Sequence, residues 1–548
     1  NLHSLQRYAE AVSSYDQAIH LNPGFADAFF GRGNALKALK QLEQAIVSYE
    51  ASMAINPHFA LAYCGRGTVW AELEQPEKAL ADFAQALLLD PNCAEAYFNQ
   101  GLSLQTINAH EAALKAYEQA IKLRPQFADT YYHRGNILRT LKQNELAAQS
   151  FDAAIALNPI FTRALFNRAN TRLELLQVEG ALQDYDHVMQ LQADWAAARW
   201  NRSFALLLKG DFTRGWPEYE WRQQLDHFIK PTGNISQPRW LGDIPIAGKT
   251  ILLHSEQGMG DTLQFCRYVP LVKAQGARVF LQVEPQLLGI LRSLDGVDAL
   301  FANDEAVPPF DYYCSLMSLP LACRTRTLAD VPATLPYLSA PTEKIQAWQM
   351  MLGKKIKPRV GLVWSGGFRP NMPDVWEVNA KRNIAFELLA RLNRPDIDFY
   401  SLQKGEPAEL NLIKDRQQHW AEDNFHVLTT HIKDFSDTAA LIAHLDLVIS
   451  VDTSVLHLAA AISKPVWLLN RFDTCWRWMV GRDDSPWYPT LRLFRQPKAG
   501  DWDSVIKSVQ QALAIWVTKG SPAKLGEGDE VSDARHAGGD LGKSRRTG

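Results

Sequence analysis

The sequence predicts an α-solenoid of two-helix repeats followed by an α/β region built on two parallel sheets. Three observations carry this. The first is a 34-residue period: Pro23, Pro57, Pro91, Pro125 and Pro159 keep that spacing, as do Gly33, Gly67, Gly101 and Gly135, with Ala169 at the next step. Tyr15, Tyr49, Phe83, Tyr117, Phe151 and Tyr185 keep it too. A fixed period of this length means stacked helical units that bury a face only against their neighbours. The second is a change of period at Lys249, where short β-rich runs begin to alternate with helical stretches. The third is the junction, where the last repeat turns bulky and a Pro/Gly-rich stretch follows.

Residues 94–127 show the repeat unit. AEAYFNQGLSLQTI and HEAALKAYEQAIKL read as two helices, and Pro125 closes the unit because proline cannot continue a helix. Gly101, Ala113 and Ala120 are small where helices must approach; Tyr97, Leu102, Tyr117 and Ile121 fill the space between units. Full units begin at 26, 60, 94, 128 and 162, with a truncated one before them and a degenerate one over 196–229. This pattern resembles the tetratricopeptide repeat across residues 1–229. Such an array presents a concave face to a protein or peptide partner. Asn34, Asn136 and Asn170 form one column on the first helices, and Asn99, Asn167 and Asn201 another. Two readings stand: amides gripping an extended peptide, as in protein O-GlcNAc transferases, or ordinary residues of any such repeat.

A chain of 548 residues implies several domains. A net charge of −3 announces no nucleic-acid stripe. The longest apolar runs, such as VWLLN, are far too short to span a bilayer, so no transmembrane segment is expected and only peripheral membrane contact stays open. No signal peptide is visible, and the chain begins at Asn1 inside a repeat, as a piece of a longer protein would. A cytoplasmic location is expected. Cys64, Cys93, Cys266, Cys314, Cys323 and Cys475 form no CxxC pair and no zinc-spaced cluster, so they read as reduced thiols and no metal site is expected.

The last repeat unit ends in KGDFTRGWPEYEWRQQ. Trp216, Tyr219 and Trp221 are bulky where a stacking repeat needs small residues, which suits a capping unit whose outer face packs on the next domain. A linker follows over 230–248. The first α/β unit, 249–345, has strands at TILLHS, ARVFLQV, VDALFA and DYYCSL, with a helix over 262–273. The second, 346–518, opens with RVGLVWSGG at 359–367. A helix near 384–394, strand IDFYSLQ, helix SDTAALIAHL and strand DLVIS follow. Then come a short helix from Ser454, strand PVWLLN, a long aromatic loop and a final helix at 503–516. These are two Rossmann-like halves, whose ligands bind at the carboxyl ends of the strands. Residues 519–548 are Gly-rich, charged and free of aromatics, so disorder is expected.

Four segments could carry chemistry. EQGMGDTLQF (256–265) is a Gly-rich turn between strand and helix, where Gly258 and Gly260 allow close approach to a ligand. Its Asp261 is either a helix cap or a general base. GxGxxG is absent, so this is no dinucleotide fingerprint. In DLVISVDTSVLHLAAAISKPVWLL (446–469), Asp452, Thr453 and Ser454 open a helix whose free N–H groups suit a diphosphate, with His457 on the same side of the first turn. The competing reading is a cap and a core histidine. Lys381, Arg382 and Lys404 follow strands and are either diphosphate ligands or solvated charges. In CWRWMVGRDDSPWYPTLRLFR, Trp476, Arg477 and Trp478 are candidates for stacking on a base or sugar, with packing as the alternative.

GMGD in the first half and DTSVLHLAAAISKP in the second resemble glycosyltransferase family 9, the ADP-heptose:lipopolysaccharide heptosyltransferases, over about 249–518. The resemblance implies a GT-B arrangement with the acceptor on the first half and the donor on the second. It implies a nucleotide-sugar as substrate, with no cofactor and no metal. It carries Asp261 over as base, Asp452, Thr453 and His457 to the donor diphosphate, and Lys381 or Arg382 to donor phosphate. Ser454 stands where the family often has Gly. The expected function is transfer of a sugar to an acceptor, a protein among the candidates, recruited by the repeats. The alternatives are a non-catalytic repeat scaffold with a degenerate transferase domain and a lipopolysaccharide or surface-glycan heptosyltransferase.

Overall fold

The computed structural model describes residues 7–225, 235–367, 376–406 and 408–518. The tail at 519–548 and residues 230–234 of the linker lie outside them. The chain divides into two compact units. One comprises Asn1–Ile235 with Pro320–Val331 and Asp473–Gly481. The other comprises Ser236–Leu319, Pro332–Phe472 and Arg482–Gly548.

In the first unit, helices run from Tyr8–Leu21 to Phe212–Tyr219, with pairs starting at Ala26, Ala60, Ala94, Ala128, Thr162 and Ala196. The recurring glycines and aromatics of the sequence are the two sides of one contact. A Cβ at Gly33, Gly67, Gly101 or Gly135 would stand 2.7, 2.7, 2.5 or 2.6 Å from a ring carbon of Tyr49, Phe83, Tyr117 or Phe151. Carbon contacts are comfortable only near 3.5–4.0 Å, so no larger residue fits without the ring moving. All four rings are fully buried. The turn inside each pair puts Lys40, Glu74, Asn108, Lys142 and Leu176 at φ 60, 57, 58, 60 and 57°, again 34 residues apart. Gly210 holds the next step at φ 87°.

A column of arginines ties consecutive units together. Arg66 pairs with Glu50 at 3.1 Å and Asp82 at 2.7 Å; Arg168 pairs with Asp152 at 2.6 Å and Asp184 at 2.5 Å. The partners lie 16 residues before and after each arginine, on the second helices of successive units. Asp82 and Asp184 are buried, so the guanidinium offsets the desolvation of a carboxylate.

The last pair closes on a distant segment. The Trp216 and Tyr219 rings meet Trp476 at 5.3 and 6.1 Å, both edge-on. A Cβ at Gly210 would stand 2.7 Å from Met479 Cε. The bulky cap therefore covers 473–481, while Trp221 lies under the Arg199 guanidinium at 4.5 Å.

The second unit holds two parallel sheets. The first contains β1 (Thr250–His254), β2 (Arg278–Val283), β3 (Ala299–Ala302) and β4 (Tyr312–Ser315), in the order β3-β2-β1-β4. The second contains β5 (Arg359–Val363), β6 (Asp398–Ser401), β7 (Phe425–Val427), β8 (Leu447–Val451), β9 (Val466–Asn470) and β10 (Leu491–Arg495). Its order is β10-β9-β8-β5-β6-β7. Every pairing between these strands is parallel. Counted within itself, the second sheet runs 3-2-1-4-5-6, the order of a doubly wound nucleotide-binding sheet. Its switch point falls between β5 and β8; that of the first sheet falls between β1 and β4. β5, β8 and β9 are buried along their whole length, which is why they read as unbroken apolar runs.

The differences from expectation have local causes. The helix expected at 262–273 begins at Met259 and breaks at Cys266–Tyr268, because Pro270 cannot donate to the ladder and crowds the carbonyl four residues back. The helix near 384–394 is the single turn Phe386–Leu389 with a tighter turn after it, stopped ahead of Pro395. β10 lies inside the stretch read as an aromatic loop: the exposed Arg492 interrupts its buried run. β7 has only three residues, too few for a sequence pattern.

Candidate functional site

The chemistry converges on the two switch points. From β1 the chain turns through 255–258 into the helix Met259–Phe265. Asp261 is the third residue of that helix, half-buried, and its carboxylate accepts the Gly258 N–H at 2.8 Å. This satisfies one of the donors that a helix start leaves open. Capping therefore occupies one carboxylate oxygen of Asp261.

From β8 the chain turns through Asp452 and Thr453 into the helix Ser454–Ala461. Thr453 is extended at φ −139° and makes no side-chain cap; its hydroxyl lies 3.2 Å from the Ser450 hydroxyl instead. Arg382 reaches this turn from the other side of the switch point. Its Nη1 donates to the Asp452 carbonyl at 2.9 Å and its Nη2 to Asn379 Oδ1 at 2.5 Å. A Cβ at Gly366, just after β5, would stand 2.1 Å from the guanidinium, so a larger residue there would push it aside. Asn383 Oδ1 accepts the Gly366 N–H at 2.9 Å and fixes that loop. Arg382 is thus placed on the β8 turn, with Lys381 its neighbour on the same helix.

The two turns meet. A Cβ at Gly260 would stand 3.0 Å from His457 Cδ2 and 3.5 Å from Ser454 Cα. His457 is 4% exposed. Its Nδ1 lies 2.8 Å from Tyr488 Oη and its Nε2 3.8 Å from Asp452 Oδ1. Gly258, Gly260, Asp261, Arg382, Asp452, Thr453, Ser454 and His457 therefore form one constellation.

Other candidates sit elsewhere. Lys404 Nζ donates to the Thr429 carbonyl at 2.8 Å, toward β7 and away from β8. Trp476 faces Trp216 and Tyr219, and Trp478 is fully buried, so these rings are engaged in packing within the repeat unit rather than offered for stacking. The Arg477 guanidinium lies over the Trp476 ring at 4.3 Å. The asparagine columns bond to one another: Asn167 donates to Asn136 at 2.7 Å and Asn201 to Asn170 at 2.9 Å. Tyr49 and Tyr185 donate to Asn34 and Asn170 at 2.7 and 2.5 Å. These amide oxygens already accept internal donors.

Two residues reach the site unannounced, and a third in a role the sequence did not suggest. Glu284, just past β2, accepts from Thr262 Oγ1 at 3.0 Å. Burial pushes its carboxyl above the usual range, and the nearby Asp261 charge adds to this. A charged residue closing a buried strand was the available signal. Arg267 and Tyr488, both buried, support His457; nothing in FCRY marks the arginine, while Tyr488 belongs to the dense aromatic stretch read for stacking or packing. Lys464 lies at the opposite end of β8 from the site. Burial lowers its pKa, and it donates to the Ala443 and Leu445 carbonyls at 2.6 and 2.9 Å.

Comparison with known proteins defines the class. Residues 396–469 match glycosyltransferase family 9 (heptosyltransferase), a span that contains the whole β8 turn and its helix. Residues 1–40 and 107–141 match the TPR repeat, and 26–59 and 128–161 the tetratricopeptide repeat. The chain carries tetratricopeptide repeats followed by a family 9 glycosyltransferase segment, and this match supports a glycosyltransferase. Among particular relatives, it is 27% identical over 338 residues to protein FlbA of Caulobacter vibrioides, covering 57% of this chain and 54% of FlbA. The chain thus spans about half the length of that curated relative. Among solved structures, it resembles YrrB, a TPR protein with an unusual peptide-binding site (23% identity, TM-score 0.31, 34% of this chain and 96% of that one). It also resembles Pseudomonas aeruginosa pilF (20% identity, TM-score 0.35, 40% and 95%). No described helix is long and apolar enough to cross a membrane.

Proposed function

We propose that the protein transfers a sugar from a nucleotide-sugar donor to an acceptor hydroxyl, without a metal, in a GT-B arrangement. The acceptor half is 249–345, the donor half 346–518, and the repeats of 1–229 recruit the acceptor, a protein in this reading. One observation carries it: the Gly258–Asp261 turn touches the helix start at Ser454–His457 through Gly260, so the turn that bears the carboxylate packs on the helix end suited to an anion. The family 9 match over 396–469 supports the donor assignment.

The chemistry follows from the charges. Asp261 takes the acceptor proton as the acceptor oxygen attacks the anomeric carbon. The leaving nucleoside diphosphate gains charge. The N–H groups at Ser454 and beyond, which the Thr453 side chain leaves uncapped, stabilise it together with the Arg382 guanidinium. Glycine at 258 and 260 keeps the approach open.

Calorimetry with UDP-, GDP- and ADP-sugars, the last including ADP-heptose, identifies the donor. Asp261→Asn keeps an oxygen for the Gly258 cap. It should lower turnover by about 10²–10⁴-fold while leaving donor affinity unchanged. Undiminished turnover would remove Asp261 from the mechanism. Failure of every nucleotide-sugar to bind would favour a non-catalytic scaffold.

A further inference from the structure

His457 presents one ring edge to the site and keeps the other in the core. A neutral imidazole has one donor and one acceptor nitrogen, and the partner of one fixes the role of the other. Here the core partner is a phenol, Tyr488, which is fully buried with Oη 2.8 Å from Nδ1.

The phenol has its own neighbour. The Arg267 guanidinium stacks 4.3 Å over the Tyr488 ring and 4.6 Å over that of Tyr337. An imidazole nitrogen (pKa about 6.5) is the stronger base and a phenol (about 10) keeps its proton at neutral pH, so across the bond to His457 the phenol donates and Nδ1 accepts. Arg267 is itself held: Nε donates to the Gln264 carbonyl at 2.7 Å, Nη2 to Tyr337 Oη at 2.9 Å, and Nη1 to the Trp487 carbonyl. Tyr337 in turn donates to the Leu263 carbonyl at 2.8 Å. Gln264 and Leu263 lie on the helix that carries Asp261. Burial also raises the Tyr488 pKa, which keeps its proton on the oxygen.

We propose that Tyr488 is a positioning residue that holds His457 in the tautomer with the proton on Nε2. The imidazole then offers a hydrogen-bond donor, rather than a lone pair, beside Asp452 and the Ser454 helix start. That edge is where the donor diphosphate sits in the reading above. The diphosphate part of the inference rests on that reading; the tautomer does not.

Long-range ¹⁵N–¹H spectra of the histidine side chains in the full chain read the tautomer directly. His457 is assigned by the signal lost in His457→Gln. The wild type should show Nε2–H, and Tyr488→Phe, which removes one oxygen and keeps the ring, should shift His457 toward Nδ1–H. Nδ1–H in the wild type overturns the proposal, and so does an unchanged pattern in folded Tyr488→Phe. The wild-type spectrum decides even where the variant does not fold. Calorimetry with ADP, UDP and GDP gives a separate arm. Tyr488→Phe should weaken the tightest of them by about three- to tenfold, the scale of one hydrogen bond. An unchanged affinity contradicts the diphosphate part. A wild type that binds none of the three sinks the donor-site reading and leaves the spectra to judge Tyr488.

Discussion

The helix starts at Met259 and Ser454 share a plan and differ in the charge beside them. Each follows the strand that flanks the switch point of its own sheet, and each packs on the other through Gly260. A helix start carries roughly half a positive charge. At Met259 that charge meets the Asp261 carboxylate, which turns back onto the Gly258 N–H. At Ser454 the Thr453 side chain does not cap it, and the Arg382 guanidinium on the Asp452 carbonyl adds to it. In the proposed reading, one local fold thus serves as a proton acceptor on one side and an anion cradle on the other. A single flanking side chain decides which.

The harshest way to break the contrast is to reverse the charge at the second start. Arg382→Glu should lower affinity for the tightest of ADP, UDP and GDP by at least about 100-fold, since a charge-assisted hydrogen bond is lost and a repulsion gained. Calorimetry measures it. Gly366→Ala is the gentler version. Its Cβ displaces the guanidinium without removing it, and affinity should fall by roughly tenfold, again on the scale of one charged hydrogen bond. Gly101→Ala sharpens the comparison by striking elsewhere. It forces the buried Tyr117 ring aside, so it should destabilise the repeats by about 1–3 kcal/mol in thermal or denaturant unfolding while nucleotide affinity stays unchanged.

The smallest effect is a pH dependence. The Glu284 pKa is raised in the folded state, mainly by burial, so the folded chain binds that proton more tightly than the unfolded chain. Stability must then fall as pH rises from the unfolded carboxylate range, near 4.3, through the folded pKa. Glu284→Gln lacks that fall. Melting curves of the two should converge at low pH and separate in favour of the variant toward neutrality; a constant difference would contradict the burial.

The same contrast shows what the sequence could reveal. The solenoid was legible because each contact repeats: Gly101 and Tyr117 touch, and both recur at the period. The arginine column recurs as well, but Gln100 interrupts it and its partners lie 16 residues away. The left-handed turn positions were invisible because Lys40, Glu74, Asn108, Lys142 and Leu176 share no chemistry. In the α/β unit the doubly buried strands read plainly, whereas β7 and β10 are short edge strands with no full apolar run. Both turns of the site were legible as motifs, since each is a contiguous strand–turn–helix. Their support was not. Arg267 contacts the Trp487 carbonyl across 220 residues of chain, and Glu284 enters from a neighbouring strand. The dense aromatics at 475–488 showed only that something would be covered; packing decided that Trp476 covers the repeat cap.

Turnover and affinity, measured in parallel on the tightest nucleotide-sugar, test the two-turn site most directly. The wild type should bind and transfer. Asp261→Asn should bind equally well and turn over about 10²–10⁴-fold more slowly. Arg382→Ala should lose roughly 10- to 100-fold in affinity. Equal turnover in the first variant, or equal affinity in the second, would contradict the division of labour between the two helix starts.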